Sequence, residues 1–279
     1  MGVPDPEWLR GALRQEVHDR IENDLRTIAA PGTYLGWPKA RVFSEVLGGG
    51  QADFTEAVGH LSPADRALLY ARYNMRRHLD ELAEAFGQLF ASCETAGSPT
   101  IVDLGCGPFT AGLALANALG PQRRFRYFGV DRAPAMGELG QRLLAAARQA
   151  GALYHATTCE FGADLDAIDF GPARGDLTLV VASYLLASPT IDVMELVAAV
   201  SRAVDRIGPG PVAILYTNSA QPGPNRNYPA FRDALIEAAF ELKQDAVERF
   251  AKTRTPADLR YALFYRSENT EISITGSTP

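Results

Sequence analysis

The chain has 279 residues, enough for one large domain or two small ones, and 47% hydrophobic with 22% charged residues is typical of a packed globular protein. Its net charge of −6 disfavours a broad nucleic-acid-binding surface, and no apolar run reaches the ~18 residues that a membrane span needs. The N-terminal residues show no secretory pattern, and the three cysteines have no metal-ligand spacing. We therefore expect a cytoplasmic protein without a membrane association, a disulfide framework or a bound metal.

The first third of the chain has helical periodicity and no strand pattern. Apolar residues recur every three or four positions over 6–28, which predicts one amphipathic helix. Ser62 is a suitable N-cap for a later helix that is expected to run to about residue 91. We predict that residues 1–96 form a helical segment that acts as a lid, and that residues 97–279 form the domain that this lid covers.

Beyond Gly97 the chain alternates between strand and helix patterns, which predicts an α/β fold. The spacing by itself indicates only α/β units that end in a hairpin, followed by a polar tail after residue 266. The predicted strands are 100–104, 125–131, 152–158, 177–186, 212–217, 246–252 and 259–266, and the predicted helices between them are 111–119, 134–150, 191–207 and 228–242.

The first predicted strand leads directly into a glycine turn. Residues 100–104 are apolar or β-branched apart from Asp103, and Gly105-Cys106-Gly107-Pro108 follows before the next helix. Glycines at such a turn let the backbone approach a ligand closely. A dinucleotide fingerprint requires a third glycine where Thr110 stands. An acid at Asp103 would repel a pyrophosphate but suits a ligand that carries an ammonium group.

The run from Val102 to Pro108 resembles the first motif of the class I S-adenosylmethionine-dependent methyltransferases, and the strand pattern over about 97–266 is similar to theirs. The resemblance implies a doubly wound, Rossmann-like sheet of seven strands, mostly parallel with an antiparallel last strand. It also implies S-adenosylmethionine as cofactor and S-adenosylhomocysteine as product. Phe109 stands where the family commonly has a glycine. The cofactor-binding loop would comprise Asp103, Gly105, Cys106, Gly107 and Pro108.

A second acid is expected to bind the ribose of the cofactor. Asp131 ends the second predicted strand about 24 residues after Gly107, close to the ~20-residue spacing of ribose-binding acids. Arg132 follows it. Met136 is placed either to cover one face of the adenine or to pack in the core.

In the family, an acid after the third strand binds the adenine amino group, and the next backbone N–H contacts the ring. Glu160 and Phe161 fit these positions, with Asp164 and Asp166 as alternatives.

Ser183 and Tyr184 end the fourth predicted strand, where the methyl donor and its acceptor would meet. Tyr184 is expected either to orient the acceptor or only to pack. His78, in a polar cluster of the helical segment, is a candidate base or cofactor contact, and its alternative is a solvated helix face. The stretch 176–186 resembles ribosomal small-subunit methyltransferase-like proteins, although this chain lacks their cysteine cluster. The Asn/Asp-Pro-Pro-aromatic motif of nucleobase amino-methylating enzymes is absent.

The favoured function is methyl transfer to a small molecule, because the acidic balance and the helical segment suit a closed pocket better than a polymer groove. Methylation of ribosomal RNA or of a ribosome-associated partner is the alternative, followed by a non-catalytic binding or assembly protein with this fold. A nicotinamide oxidoreductase is disfavoured by Asp103 and the missing third glycine. A homodimer and the identity of the acceptor atom are left open.

Overall fold

The computed structural model describes residues 6–92, 97–172, 175–251 and 256–267. Its centre is a sheet of seven strands: β1 Thr100–Leu104, β2 Arg126–Val130, β3 Thr158–Gly162, β4 Thr178–Ser183, β5 Val212–Ser219, β6 Glu241–Phe250 and β7 Ala257–Arg266. Their order is β3-β2-β1-β4-β5-β7-β6, and within this sheet all strands run parallel except β7, which pairs antiparallel with both β5 and β6. The predicted doubly wound sheet is therefore confirmed. The N-terminal region, for which no strand is predicted, also contains a short antiparallel pair formed by Thr33–Tyr34 and Trp37–Pro38.

Helices cover both faces of the sheet. They are α1 Glu7–Leu13, α2 Asp19–Glu22, α3 Leu25–Ala29, α4 Lys39–Arg41, α5 Pro63–Tyr70, α6 Arg76–Ser92, α7 Thr110–Leu119, α8 Pro134–Gln149, α9 Val193–Ile207 and α10 Tyr228–Glu237. Segments of π-helix over 14–18 and 71–75 join α1 to α2 and α5 to α6. Alternate residues of β1 point to opposite faces, so Ile101 joins one buried cluster with α7 and α8, and Val102 joins the other with α9 and α10.

The N-terminal helices form a third layer on the face that carries α7 and α8. Glu16 in the first π-helical segment forms an ion pair with Arg142 of α8 at 3.6 Å. Apolar side chains of both regions share one buried cluster, which includes Leu9, Val17, Leu69, Phe86, Leu113 and Leu143. The predicted domain boundary at 96 falls at residues 93–96, outside the described ranges.

The single helix predicted over 6–28 is broken, which corrects the sequence interpretation. Asn23 leaves the helical conformation, and the Asp24 side chain caps a new helix by accepting from the Arg26 N–H at 2.8 Å. On the new helix, Leu25 and Ile28 are 81% and 60% exposed although they continue the apolar period.

The third strand was predicted too early in the chain. Residues 152–157 follow the end of α8 and form turns, in which the Ala152 N–H bonds the Ala147 carbonyl and the Thr157 N–H bonds the Tyr154 carbonyl. Ala152 and Leu153 are buried, which explains their strand-like pattern. The true strand, β3, begins at Thr158, so Glu160 lies within a strand and not after one.

Near the C-terminus, α10 ends five residues earlier than predicted and β6 begins at Glu241. Ala239 adopts a left-handed conformation (φ 64°), and the Phe240 N–H closes the helix by bonding the Leu235 carbonyl. The predicted polar tail lies almost entirely in 268–279, outside the described residues.

Candidate active site

A cavity of about 300 Å³ opens at the carboxyl ends of β1, β2 and β4. Ligands of open α/β sheets bind at this edge. The lining residues come from three regions: the glycine turn with the start of α8, residues 50–54 with Tyr70, and the segment after β4.

The glycine turn has a conformation that few other residues could adopt. Gly105 and Gly107 have φ of +64° and +52°. The N–H groups of Gly105 and Cys106 both bond the Val130 carbonyl, at 2.8 and 3.1 Å, which ties the turn to the end of β2. A Cβ at Gly105 would lie 2.8 Å from Leu185 Cδ1. The turn therefore brings bare backbone to the cavity.

Phe109 takes the left-handed conformation (φ 68°) at the position where the family commonly has glycine. Its ring is buried and packs edge-on against Tyr127 with centroids 4.9 Å apart. The ring of Phe109 packs against Gly112 in α7, where a Cβ would lie 1.8 Å from Phe109 Cε2, so only glycine leaves space for the ring. We infer that packing of the ring compensates for the strained backbone.

Asp131 holds the turn and also lines the cavity. Its Oδ2 accepts from the Gly107 N–H and its Oδ1 from the Ala133 N–H, each at 2.9 Å. Burial raises the pKa of this carboxyl group, against the lowering effect of the two hydrogen bonds. Each carboxylate oxygen keeps acceptor capacity for a ligand hydroxyl.

Arg132 connects two of the regions that line the cavity. Its guanidinium forms an ion pair with Asp53 of the N-terminal segment at 2.9 Å, and both side chains are about half exposed. Both residues line the cavity, as does the buried Met136. The buried Arg66 donates to the backbone carbonyls of Asp53, Glu56 and Val46. These hydrogen bonds fix the backbone of the loop over 46–56, which includes Asp53.

The other residues of the predicted cofactor-binding loop, Asp103, Cys106 and Pro108, do not line the cavity. Asp103 is 2% exposed and accepts a 2.5 Å hydrogen bond from the Tyr127 hydroxyl. Burial raises the pKa of Asp103 to about 7 and that of the Cys106 thiol well above its ordinary value. Pro108 is also buried.

Three further predicted residues are not brought to the cavity. Glu160 is exposed on β3, and Phe161 packs against the ring of Phe109 at a centroid distance of 5.6 Å. The Ser183 hydroxyl accepts a hydrogen bond from Thr217 at 2.9 Å.

After β3, the residues that do line the cavity are Ala163 and Leu165. Asp164 stands between them, and its carboxylate accepts from the Asp166 N–H at 3.0 Å. Of the acids considered for the adenine, Asp164 therefore has the position nearest the cavity.

Tyr184 and His78, which are far apart in the sequence, stack on each other. Their ring centroids are 3.8 Å apart with an interplanar angle of 18°. Burial lowers the pKa of His78 to about 3, so its ring is neutral, and it lies 3.5 Å from the Tyr70 hydroxyl. An imidazole with so low a pKa holds a proton only weakly, and this ring is stacked on Tyr184, so a packing role for His78 is favoured over that of a base.

Glu81 was missed by the sequence analysis. It is 1% exposed on α6 and accepts a 2.9 Å hydrogen bond from the Tyr184 hydroxyl. Burial raises the pKa of Glu81 to about 7 and also raises that of Tyr184. A signal was present, because Glu81 lies one turn from Ala85 and next to Leu82 on the buried side of a helix.

The described residues include neither a grouped metal-ligand set nor a membrane-spanning helix. No three His, Cys, Asp or Glu side chains in these ranges are grouped so that they could hold a metal ion. No helix among the described residues is long and apolar enough to cross a membrane.

The strand order with its antiparallel β7 is that of a doubly wound, Rossmann-like sheet, and the cavity lies at the carboxyl edge of this sheet. Similar solved structures include a magnesium protoporphyrin IX methyltransferase from Synechocystis, in forms with bound S-adenosylmethionine and S-adenosylhomocysteine. Each form is 13% identical with a TM-score of 0.47 and covers 82% of this chain, with 95% and 98% of the other chain covered. A TehB-like S-adenosylmethionine-dependent methyltransferase from Corynebacterium glutamicum is 17% identical with a TM-score of 0.42, over 68% of this chain and 95% of that one.

No protein-family model and no curated protein sequence matches the chain. The resemblance to ribosomal small-subunit methyltransferase-like proteins therefore gains no support. At identities of 13–17% and TM-scores below 0.5, the structural similarities carry no argument about activity.

Proposed function

We propose that this protein is an S-adenosylmethionine-dependent methyltransferase that acts on a small molecule. The observation that carries the proposal is the glycine turn, held open by Asp131 at the carboxyl edge of the sheet and facing a cavity. This arrangement offers bare backbone and carboxylate oxygens, which suit hydroxyl and ammonium groups and disfavour a pyrophosphate.

The residues present fit this cofactor. Gly105 and Gly107 leave room for its amino-acid portion, and the free lone pairs of Asp131 suit ribose hydroxyls. Met136 and the backbone beside Asp164 would contact the adenine. Bound here, the cofactor would supply a methyl group already activated on a sulfonium, whose leaving group is neutral.

The protein's own contribution is then mainly alignment, since holding two reactants in position can lower a barrier by ~7–11 kcal/mol. Tyr184 is placed to orient the acceptor, because its ring lines the cavity and is fixed by Glu81 and His78. Apolar side chains also line this cavity: Phe54, Leu185, Ile191, Leu196 and Ala199.

A small acceptor is favoured over RNA by the shape and charge of this region. The Arg132–Asp53 ion pair joins two of the regions that line the cavity, and the chain carries a net charge of −6. A polymer groove would be open and basic.

Calorimetric titration tests the cofactor. We expect S-adenosylmethionine and S-adenosylhomocysteine to bind the full chain, with NADH as the control that does not bind. Binding of NADH alone would contradict the proposal. Transfer of a radioactive methyl group from the cofactor to a small-molecule extract, and not to ribosomal RNA, tests the acceptor class. Cofactor binding without transfer to either would instead favour a non-catalytic protein.

A further inference from the structure

Glu81 is a buried acid with an incompletely satisfied carboxylate close to the cavity. Its Oε2 accepts from the Tyr184 hydroxyl, but its Oε1 accepts no hydrogen bond. Arg77 Nε lies 3.3 Å from that oxygen in an ion pair whose geometry makes no hydrogen bond. A buried carboxylate with an oxygen that accepts no hydrogen bond is stabilised by an additional positive charge nearby.

The groups around Glu81 supply little positive charge. Arg77 is the one cation facing it among the described residues, and His78 is neutral because burial lowers its pKa to about 3. The remaining titratable groups near this end of the cavity are acids and phenols from α5, α6, β7 and the ends of β1, β2 and β4: Tyr70, Asp80, Tyr261, Asp103, Asp131 and Tyr184.

Tyr184 connects this acid to the cavity. Its ring lines the cavity, and its hydroxyl is the donor to Glu81. Its left-handed backbone (φ 58°) directs the ring toward α6 at the end of β4. The charge of Glu81 therefore lies one side chain away from any ligand at this end of the cavity.

We propose that Glu81 is the charge-selective group of the cavity, whose carboxyl group ionises when a sulfonium ligand enters and which thereby favours S-adenosylmethionine over the uncharged thioether of S-adenosylhomocysteine. This inference rests on the proposed function and goes beyond it, because it assigns the discrimination between substrate and product to a residue of the N-terminal segment. Selection against the product would limit product inhibition.

The pH dependence follows from the protonation of the ligand-free protein. Burial raises the pKa of Glu81 to about 7, so below that pH the carboxyl group is largely protonated. A cationic ligand lowers this pKa, so its binding releases a proton. As the pH falls well below 7, ionisation of the Glu81 carboxyl group costs more free energy. The preference for S-adenosylmethionine over S-adenosylhomocysteine therefore declines.

The test is isothermal titration of the full chain with S-adenosylmethionine and with S-adenosylhomocysteine, at about pH 6.5, in two buffers of different ionisation enthalpy, which counts the protons released. Both ligands carry the same ammonium and carboxylate, so protons released by Asp103 or Asp131 in response to those groups cancel in the difference. We expect the wild type to release more protons with the sulfonium ligand.

In Glu81→Gln this difference should vanish. The affinity for S-adenosylmethionine should fall roughly tenfold, the equivalent of one pKa unit of coupling, while that for S-adenosylhomocysteine stays within about twofold. Glu84→Gln, one turn further along α6 and in the groove beside β6 and β7, is the matched control and should behave as wild type.

Tyr184→Phe provides a second test if Glu81→Gln does not fold. Loss of the hydrogen bond removes a group that stabilises the charged carboxylate. The pH below which the preference for S-adenosylmethionine declines should therefore move upward.

This inference would be overturned if the wild type and Glu81→Gln had the same ratio of affinities for S-adenosylmethionine and S-adenosylhomocysteine and released the same number of protons on binding each ligand. The proposed function would then still stand. An unmoved pH profile in Tyr184→Phe would do the same. Failure of both ligands to bind the wild type would overturn the proposed function itself, and this inference with it.

Discussion

The carboxylate of Asp131, at the end of β2, accepts a 2.9 Å hydrogen bond from the backbone N–H of Gly107 in the turn after β1. The same carboxylate accepts from the Ala133 N–H at the start of α8. One side chain thus joins two loops that line the cavity.

Asp131→Ala should therefore weaken both cofactor binding and the fold. We expect S-adenosylmethionine affinity to fall by about 1.5–3 kcal/mol, the range for hydrogen bonds to charged groups, together with a lower melting temperature. Calorimetry and thermal unfolding measure the two effects. Asp233→Ala, on the exposed face of α10, is the control and should change neither. An unchanged dissociation constant in Asp131→Ala would remove this residue from the site.

Gly105→Val should abolish cofactor binding. The added Cβ would lie 2.8 Å from Leu185 Cδ1, and φ of +64° is strained for a β-branched residue. We expect a folded protein that is destabilised by about 1–3 kcal/mol, the cost of such backbone strain. Gly137→Ala in α8 is the matched control, because no atom lies within 4 Å of its added Cβ. Wild-type affinity in Gly105→Val would show that the turn does not contact the cofactor.

The buried acids Asp103 and Glu81 should make the protein less stable as the pH rises from about 4 to about 7. Burial raises the pKa of each to about 7 in the folded state, so in this range the folded protein holds protons that the unfolded chain has lost. Each group should lower the free energy of unfolding by up to about 1.4 kcal/mol per pH unit, with no further loss above about pH 7.

Denaturant unfolding across this pH range measures that slope. Asp103→Asn keeps an acceptor for the Tyr127 hydroxyl and cannot ionise, so its slope should be shallower. A slope equal to that of the wild type would mean that Asp103 is not protonated in the folded protein.

A protein that begins near Gly97 should not fold. Removal of the N-terminal layer would expose Leu113 and Leu143 and leave Arg142 without Glu16. We expect loss of the cooperative thermal transition followed by circular dichroism, and recovery of folding when residues 1–96 are added as a separate chain. A folded fragment that binds S-adenosylmethionine like the full chain would contradict this and would favour a separable covering segment.

The features that the sequence determined are those encoded by adjacent residues. The bounds of β1 were predicted at Thr100 and Leu104, and the glycine turn and Asp131 occupy the edge that was expected. Local chemistry sufficed because a buried apolar run makes a strand, glycine permits positive φ, and parallel strands end at one edge of the sheet. The apolar pattern predicted a strand over 152–158, and this was wrong for residues 152–157. Ala152 and Leu153 are buried in a turn, and buried apolar residues look the same in the sequence of a turn as in that of a strand.

Only the tertiary structure decided which polar groups face the cavity. Asp103 and Glu160 carry the expected chemistry, but side-chain direction on a strand aims the first at Tyr127 and leaves the second exposed. Glu81 and Tyr184 are 103 residues apart and meet because the N-terminal layer packs against the edge where β4 ends. Neither their contact nor the charge state of Glu81 is visible in the sequence, because both depend on burial, which is a property of the packed chain and not of any one segment.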